Sequence, residues 1–314
     1  MSRPDAPRLA SARPRAGRAV PSKSRTVVQV GQPADGSEGH RTARWWRAGW
    51  SEEPGRAWAG ADAAASARVA SALQGGKDHL GPDRTAAERL LQAAPGWAQE
   101  AAAARAKLLE LVVRLTACGI RQHVDLGCGL TTGHHNDAPK ALLPLHAVLL
   151  PLAPGIRVVY ADRDPVVMAH ARALLHSPVP DAVRHLDADL ARPHDLLAAL
   201  RDGPARLNAV RPAAVVLSDV LHELEDHEAS RLLSALHNAL APGSVLVLSH
   251  RTPSGDATHR AAVAAVHAEA GLAWNPRNPA RITELAGPWI PMAPATRLPG
   301  FTVALLLKNG RNSR

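Results

Sequence analysis

The stretch "VDLGCGLTTG" (124–133) places an aspartate, Asp125, two residues before a glycine pair, Gly127 and Gly129. It continues a short apolar run, "QHVDL" (122–126), that is typical of a buried strand. Glycine after such a strand lets the backbone turn tightly or approach a ligand where a side chain would block it. The stretch predicts the first strand-to-loop turn of an α/β sheet. Three explanations stay open at this point: a nucleotide-type ligand, a metal, or only a tight turn.

Similar apolar runs recur along the chain and alternate with helical patterns. The further strand-like runs are "RVVYA" (157–161), "VRHL" (183–186), "AAVVLS" (213–218), "SVLVLS" (244–249) and a late "FTVALLLK" (301–308), expected at an edge of the sheet. The helical patterns cover 85–94, 96–119, 164–176, 193–202 and 226–240. Near-continuous apolar strands alternating with helices indicate a parallel sheet covered on both faces. Right-handed crossovers then predict a doubly wound α/β fold.

Charge divides the chain into unequal parts. The net charge is +9, and residues 1–60 hold 11 Arg and Lys against 5 Asp and Glu. This segment is also rich in Pro, Ser and Gly and lacks periodicity, which predicts a disordered basic arm. We therefore predict an arm (1–60), a helical leader (61–118) and a ligand-binding domain (119–310). Because the remaining chain is only weakly basic, nucleic acid is expected to bind only through the arm.

The two cysteines, Cys118 and Cys128, do not form the framework of a disulfide-rich protein. No apolar run reaches the roughly 18 to 20 residues of a membrane span. The N-terminus lacks the apolar core of a signal peptide. The sequence thus predicts a cytoplasmic protein without membrane contact.

Two further acids follow predicted strands. Asp162 ends the second strand in "VVYADRDP", and Asp189 follows the third in "HLDADLARP". In a doubly wound sheet these positions share the carboxyl edge with the glycine turn, where ligands bind. An acid after the second strand can accept hydrogen bonds from both hydroxyls of a ribose. A second acid can accept from the exocyclic amine of adenine, so the sequence predicts a nucleoside pocket.

Asp125 indicates which nucleoside fits. A dinucleotide brings a pyrophosphate, which a neighbouring carboxylate would repel. Gly127, Gly129 and Gly133 also give G-x-G-x-x-x-G instead of the dinucleotide spacing G-x-G-x-x-G. S-adenosylmethionine carries a cationic ammonium and a cationic sulfonium and has no phosphate. The predicted cofactor is therefore S-adenosylmethionine, with NAD as the disfavoured alternative.

Several stretches together resemble class I S-adenosylmethionine-dependent methyltransferases: "VDLGCG", "DADL", "AAVVLSDVLHEL" and "LAPGSVLVLSH". The leader "ARVASALQGGKDHLGPDRTAAERLL" (67–91) and "GIRQHVDLGCGLTT" (119–132) more narrowly resemble a bacterial S-adenosyl methyltransferase family with a GGKD leader, first catalogued as a domain of unknown function. The resemblance extends from about 67 to 308. It implies a mostly parallel, seven-stranded Rossmann-like sheet and a leader that folds over the pocket as a lid around residues 75–78.

The resemblance also implies roles for individual residues. The implied cofactor-binding residues are Asp125, Gly127 and Gly129 in the loop, Asp162 at the ribose, Asp189 near the adenine, and Ser218. Asp219 would lie with Ser218 on the side where the methyl group is transferred.

The segment "HELEDH" (222–227) raises a separate question. Zinc peptidases use H-E-x-x-H, in which four residues bring both histidines to one helix face. His222 and His227 are five residues apart, about 140° around a helix, so no metal site is predicted. His222 follows the fourth strand and serves either as a base for the acceptor or as a pocket wall, since histidine suits proton transfer near neutral pH. Asp219 and His222 are the predicted catalytic residues.

The sequence thus predicts methyl transfer from S-adenosylmethionine to an unidentified small-molecule acceptor. Three alternatives stay open. The first is a non-catalytic protein that binds S-adenosylmethionine or S-adenosylhomocysteine, and the second is an NAD-dependent oxidoreductase. The third is a nucleic-acid methyltransferase recruited by the basic arm. The sequence makes no prediction of the oligomeric state.

Overall fold

The computed structural model describes residues 60, 62–130 and 143–310. The predicted basic arm, apart from Gly60, and Gly133 of the glycine stretch lie outside these residues. Within the described ranges, no helix combines the length and apolar composition that a membrane crossing requires.

The described residues form a mixed, mostly parallel sheet. Its strands are β1 (Gln122–Leu126), β2 (Arg157–Asp162), β3 (Val183–Asp187), β4 (Ala213–Ser218), β5 (Val245–Arg251), β6 (Ile290–Pro291), β7 (Thr296–Leu298) and β8 (Phe301–Leu307). The order is β3-β2-β1-β4-β5-β8-β6, and β7 also pairs with β8. Strands β1 to β5 are parallel, and β8 is antiparallel to β5. This confirms the predicted fold class, but β8 lies inside the sheet, with shorter strands beyond it.

Helices cover both faces of the sheet. They are α1 (Ser66–Leu73), α2 (Gly81–Ala93), α3 (Trp97–Ala117), α4 (Leu145–Leu149), α5 (Pro165–Leu174), α6 (Pro193–Asp202), α7 (Asp226–Ala239), α8 (Ala257–Glu269) and α9 (Pro279–Ala286). Five of these, α2, α3, α5, α6 and α7, lie where the helical patterns predict them. α1 lies within the predicted helical leader, and α4, α8 and α9 are additional to the prediction.

Alternation along β4 shows why its sequence is apolar throughout. Val215 and Leu217 pack into the core on one face of the sheet, whereas Ala214 and Val216 pack into the core on the other. All four side chains are completely buried. A strand covered on both faces has no solvent-facing positions for polar residues, so it reads as a continuous apolar run.

The position of β1 determines where a ligand can bind. β1 lies between β2 and β4, and Leu126 pairs with Ala161 on one side and with Leu217 on the other. The chain winds outward from β1 in both directions, which makes this the topological switch point. The carboxyl ends of β1, β2 and β4 therefore border the crevice in which such sheets bind their ligands.

A buried ion pair joins the first two helices of the leader. The Arg68 Nε atom donates to Oδ2 of Asp83 at 2.9 Å, and the two side chains are 1% and 0% exposed. Asp83 also accepts from the backbone amides of Ala65 and Leu80 at 2.9 and 2.7 Å. These bonds fix α1 against the start of α2, so the leader has a defined structure of its own.

Candidate functional site

The glycine turn leaves β1 in a left-handed conformation. Gly127 and Gly129 have φ angles of 66° and 61°, a region that glycine adopts without steric penalty. The backbone amide of Gly127 donates to the carbonyl of Ala161 at 2.8 Å, which continues the β1–β2 ladder by one residue. A Cβ atom added to Gly127 would lie 2.4 Å from Cγ2 of Val220. The first glycine is therefore required by packing as well as by conformation.

Asp162 connects the end of β2 to this turn. Its Oδ2 accepts from the Gly129 amide at 3.0 Å, and its Oδ1 accepts from the Asp164 amide at 3.0 Å. Burial raises the pKa of Asp162 to about 6, against the lowering effect of these two hydrogen bonds. Each carboxylate oxygen has further acceptor capacity, so the side chain can still accept from ligand hydroxyls. Asp164 caps α5, accepting from the Val166 amide at 2.8 Å.

Asp125 is buried beside a charged partner that the sequence analysis did not identify. Its side chain is 1% exposed, and its Oδ2 lies 3.6 Å from Nη2 of Arg105 on α3. Burial raises the pKa of Asp125 to about 6, and the Arg105 charge opposes that shift. Neither Asp125 oxygen makes a hydrogen bond with any part of the chain that the structure describes. The acid is thus held on β1 with unused acceptor capacity.

One signal in the sequence could have identified Arg105. α3 buries Leu108, Val112 and Leu115 along one face. Arg105 precedes Leu108 by three residues, so it continues this apolar stripe toward the start of the helix. A charged residue on the buried face of a helix needs a partner, and Asp125 is in contact with that face.

Asp189 and Ser218 lie at the same edge of the sheet. β3 pairs with β2 up to Asp187 opposite Asp162, and Asp189 follows two residues later. Its Oδ1 accepts from the Ala191 amide at 3.0 Å. Ser218 ends β4, opposite Ser249 of β5. The structure therefore brings together all of the predicted cofactor-binding residues at the carboxyl ends of β1 to β4.

The acceptor side of the edge centres on Asp219 and His222. Asp219 has a φ of 51°, an uncommon value for a residue with a side chain. Its Oδ1 lies 3.2 Å from Nδ1 of His222, and its Oδ2 lies 3.3 Å from Nε of Arg251. Burial tends to raise the pKa of Asp219, but the positive charge of Arg251, and then His222, outweighs it and lowers that pKa. Asp219 is therefore a stable anion beside the imidazole.

Aromatic rings form a wall next to His222. The His222 ring makes an edge contact with Trp274 at 5.5 Å between centroids, and Trp274 stacks on His267 at 4.2 Å. Trp97, at the start of α3, lies 5.4 Å from Trp274 and carries the Arg251 guanidinium 3.6 Å above its ring. The members of this wall are far apart along the chain, so no local sequence pattern predicts it.

A second histidine, His250, lies behind His222. It is completely buried near the end of β5. Burial lowers the pKa of His250 to about 3, and the charge of the nearby His222 adds to this effect. His250 is therefore neutral, and His222 is the more exposed of the two. His227, the other histidine of the "HELEDH" segment, is exposed on α7.

The leader touches the cofactor side of the edge. A Cβ atom added to Gly129 would lie 3.9 Å from that of Ala67 on α1. Asp78 of the GGKD segment has its Oδ1 3.7 Å from Nε2 of His170 on α5. The leader thus borders the glycine turn, and its role as a lid stays a prediction.

The fold and this site define a class I S-adenosylmethionine-dependent methyltransferase. The unpaired oxygens of Asp125 suit a cationic ligand group, and the acids after β2 and β3 suit ribose and adenine, so these residues fit the cofactor. The chain belongs to the S-adenosyl methyltransferase family, whose profile matches residues 55–288. The predicted family, enzyme class and cofactor are thereby confirmed.

Two solved structures support this assignment. A DUF574 family protein from Streptomyces avermitilis has a TM-score of 0.69 and 25% identity, over 79% of this chain and 98% of that one. A proposed methyltransferase from Thermobifida fusca has a TM-score of 0.67 and 29% identity, over 83% of this chain and 100% of that one. A comparison with curated proteins gives no significant match.

Proposed function

We propose that this methyltransferase transfers a methyl group to a hydroxyl group of a small molecule, with His222 as the general base. The observation that carries the proposal is the 3.2 Å contact between Nδ1 of His222 and Oδ1 of Asp219. A carboxylate at one ring nitrogen leaves the other, Nε2, to accept a proton. A neighbouring anion also favours the imidazolium that forms.

The cofactor side of the site has a separate task. We assign Asp125, Gly127, Gly129, Asp162, Asp189 and Ser218 to holding S-adenosylmethionine. The bound cofactor supplies an electrophilic methyl group on a sulfonium sulfur. These residues fix its position, so that the acceptor and the methyl carbon meet in line.

The proton balance follows from this arrangement. Nε2 of His222 takes the hydroxyl proton as the acceptor oxygen forms a bond to the methyl carbon. The cofactor would supply the methyl group with its sulfur as the leaving group, which would keep the electron pair of the carbon–sulfur bond. Asp219 is a positioning residue, because it acts through the orientation and charge of His222 instead of touching the acceptor.

Two features favour a small acceptor over nucleic acid. The site is bordered by Trp97 and Trp274, whose rings suit a compact apolar or aromatic molecule. The nearest arginines are already engaged. Arg251 contacts Asp219 and Glu100, and Arg277 donates to Asp226 and to two backbone carbonyls, so neither offers a free phosphate contact.

The test measures formation of S-adenosylhomocysteine by the full-length chain. The acceptors are small hydroxy-aromatics, small amines and, in separate assays, RNA and DNA. We expect turnover with a hydroxylated small molecule, lowered by about 10²-fold or more in His222→Asn because general bases contribute about 10² to 10⁴. His227→Asn is the matched control and should retain activity.

Three results would contradict the proposal. Undiminished turnover by His222→Asn would exclude the base, and transfer only to nucleic acid would exclude the acceptor class. Cofactor binding without turnover on any acceptor would favour the non-catalytic alternative.

A cytoplasmic, bacterial setting stays a prediction from the sequence, to be checked by cell fractionation of the source organism.

A further inference from the structure

Arg251, the last residue of β5, is a buried cation beside the proposed proton transfer. Its side chain is 3% exposed, and a charge removed from water needs compensation by the groups around it. Its Nε donates to Oδ2 of Asp219 at 3.3 Å, and its Nη1 lies 3.5 Å from Oε2 of Glu100. Its Nη2 donates to the backbone carbonyl of Trp97 at 3.3 Å. Each nitrogen of the guanidinium therefore faces a different acceptor.

Two aromatic rings hold the guanidinium in place. Its central carbon lies 3.6 Å from the centroid of the Trp97 ring and 4.2 Å from that of the Phe301 ring. Guanidinium groups stack on aromatic faces, and such contacts are strongest where water is excluded. Both rings are buried. Arg251 therefore has little freedom to move away from Asp219.

The two oxygens of Asp219 face different partners. Oδ2 accepts from Arg251, whereas Oδ1 lies 3.2 Å from Nδ1 of His222. Neither Oδ1 nor this Nδ1 makes a hydrogen bond to any other described residue. Burial raises the pKa of Asp219, but the charge of Arg251 opposes this and the pKa is lowered overall. The carboxylate thus stays ionised and connects a fixed cation to the imidazole.

We propose that Arg251 is a positioning residue that selects the tautomer of His222 through Asp219. The Asp219 carboxylate accepts the proton on Nδ1, which leaves the lone pair of Nε2 for the acceptor hydroxyl. Without the charge of Arg251 the imidazole would carry its proton on Nε2, where it cannot act as a base. The inference rests on the role of His222 in the proposed function. It also gives the leader a part in the acceptor side, because Trp97 and Glu100 of α3 hold Arg251.

Nitrogen-15 NMR of the histidine rings measures this tautomer without any methyl acceptor. The full-length chain is labelled in its histidine rings and measured at about pH 8, above the ordinary histidine pKa of about 6.5, so that exposed imidazoles are neutral. His222→Asn identifies the His222 signals by their loss. Wild-type His222 should carry its proton on Nδ1.

Two variants with side chains of similar length separate charge from packing. Arg251→Met removes the cation and should shift most of His222 to the form protonated on Nε2, so that the chemical shifts of its two ring nitrogens exchange. Arg251→Lys keeps the cation and should retain the proton on Nδ1. Arg281→Met is the matched control, because Arg281 also pairs with an aspartate, Asp226, but is 44% exposed. Circular dichroism checks that each variant is folded.

Three results would overturn the inference. A proton on Nε2 of wild-type His222 would do so by itself, even if neither Arg251 variant folds. An unchanged tautomer in folded Arg251→Met would show that Arg251 only packs, and the same shift in Arg251→Met and Arg251→Lys would show that its charge is unimportant. A tautomer that depends on the Arg251 charge in a chain without turnover would support this inference and contradict the proposed function.

Discussion

Gly127 and Val220 pack so closely that the loop after β1 has no room for another carbon atom against the loop after β4. A Cβ atom on Gly127 would lie 2.4 Å from Cγ2 of Val220, and the Gly127 φ of 66° already disfavours any side chain. The contact links the turn assigned to the cofactor with the segment that carries Asp219 and His222. Changes at Gly127 should therefore affect both sides of the site.

We expect Gly127→Ala to lower the free energy of unfolding by about 2 to 4 kcal/mol, combining left-handed strain with overpacking. Urea unfolding followed by circular dichroism measures the loss. The control is Gly155→Ala, where φ is 74° but no heavy atom lies within 4 Å of the added carbon. Strain alone should cost about 1 to 2 kcal/mol there. Equal losses in the two variants would show that the Val220 contact is unimportant.

Cofactor affinity should depend on pH around 6. The pKa values of Asp125 and Asp162 are both raised to about 6, so each becomes protonated as the pH falls through that value. On the proposed assignment, the cofactor's ammonium and ribose hydroxyls bind the ionised carboxylates. Affinity for S-adenosylhomocysteine should therefore be constant above pH 7 and fall below pH 6, by up to about tenfold per pH unit for each group.

Titration calorimetry in two buffers of different ionisation enthalpy checks the direction of this pH dependence. Binding near pH 6 should release protons, because the ligand favours the deprotonated acids. Asp162→Asn should bind more weakly and show a shallower pH dependence. Proton uptake near pH 6, or an affinity independent of pH between 5 and 7, would contradict the assigned contacts.

Breaking the buried ion pair between Arg68 and Asp83 should strongly destabilise the leader. Asp83→Ala leaves Arg68 charged and almost fully buried, a change that costs about 3 to 5 kcal/mol in comparable pairs. Hydrogen exchange should accelerate throughout α1 and α2. Glu269→Ala is the control, since its pair with Arg89 is about half exposed on both sides and should contribute at most about 1 kcal/mol. Similar amide exchange rates in α1 and α2 of both variants would contradict this prediction.

The predicted lid can be tested by the same method. If residues 75–78 close over the pocket, S-adenosylhomocysteine should slow amide exchange in that segment and near Ala67, which borders Gly129. Exchange in α9, on the opposite face of the sheet from α3, should not change. An unchanged rate in the leader at saturating ligand would mean that it is a fixed wall.

The sequence predicted the parts of the fold that depend on local pattern. Strands β1 and β4 begin and end where their apolar runs do, because burial on both faces leaves a continuous signal. α8 was not predicted, since its alanine-rich sequence buries only Val263 and His267 and shows little periodicity. β8 was expected at the edge because no sequence pattern predicts the two short strands, β6 and β7, that pair with it.

Local sequence patterns do not predict which distant segments of the chain come into contact. Glu225 takes the cap position of α7, whereas Asp226 pairs with Arg277 and Arg281 from a distant segment. The partnership of Arg105 with Asp125 likewise exists only once α3 packs on the sheet. Local chemistry identifies candidate residues, whereas tertiary packing decides which of them meet.

The strand order has a consequence for how such an enzyme can change over evolutionary time. On the proposed assignment, most cofactor contacts follow β1, β2 and β3, while most acceptor contacts follow β4 and β5, on the other side of the switch point. Drift in the later half of the chain can then redirect the enzyme to a new acceptor without disturbing the methyl donor. The division of labour along the sheet makes substrate choice the evolvable property and cofactor choice the inherited one.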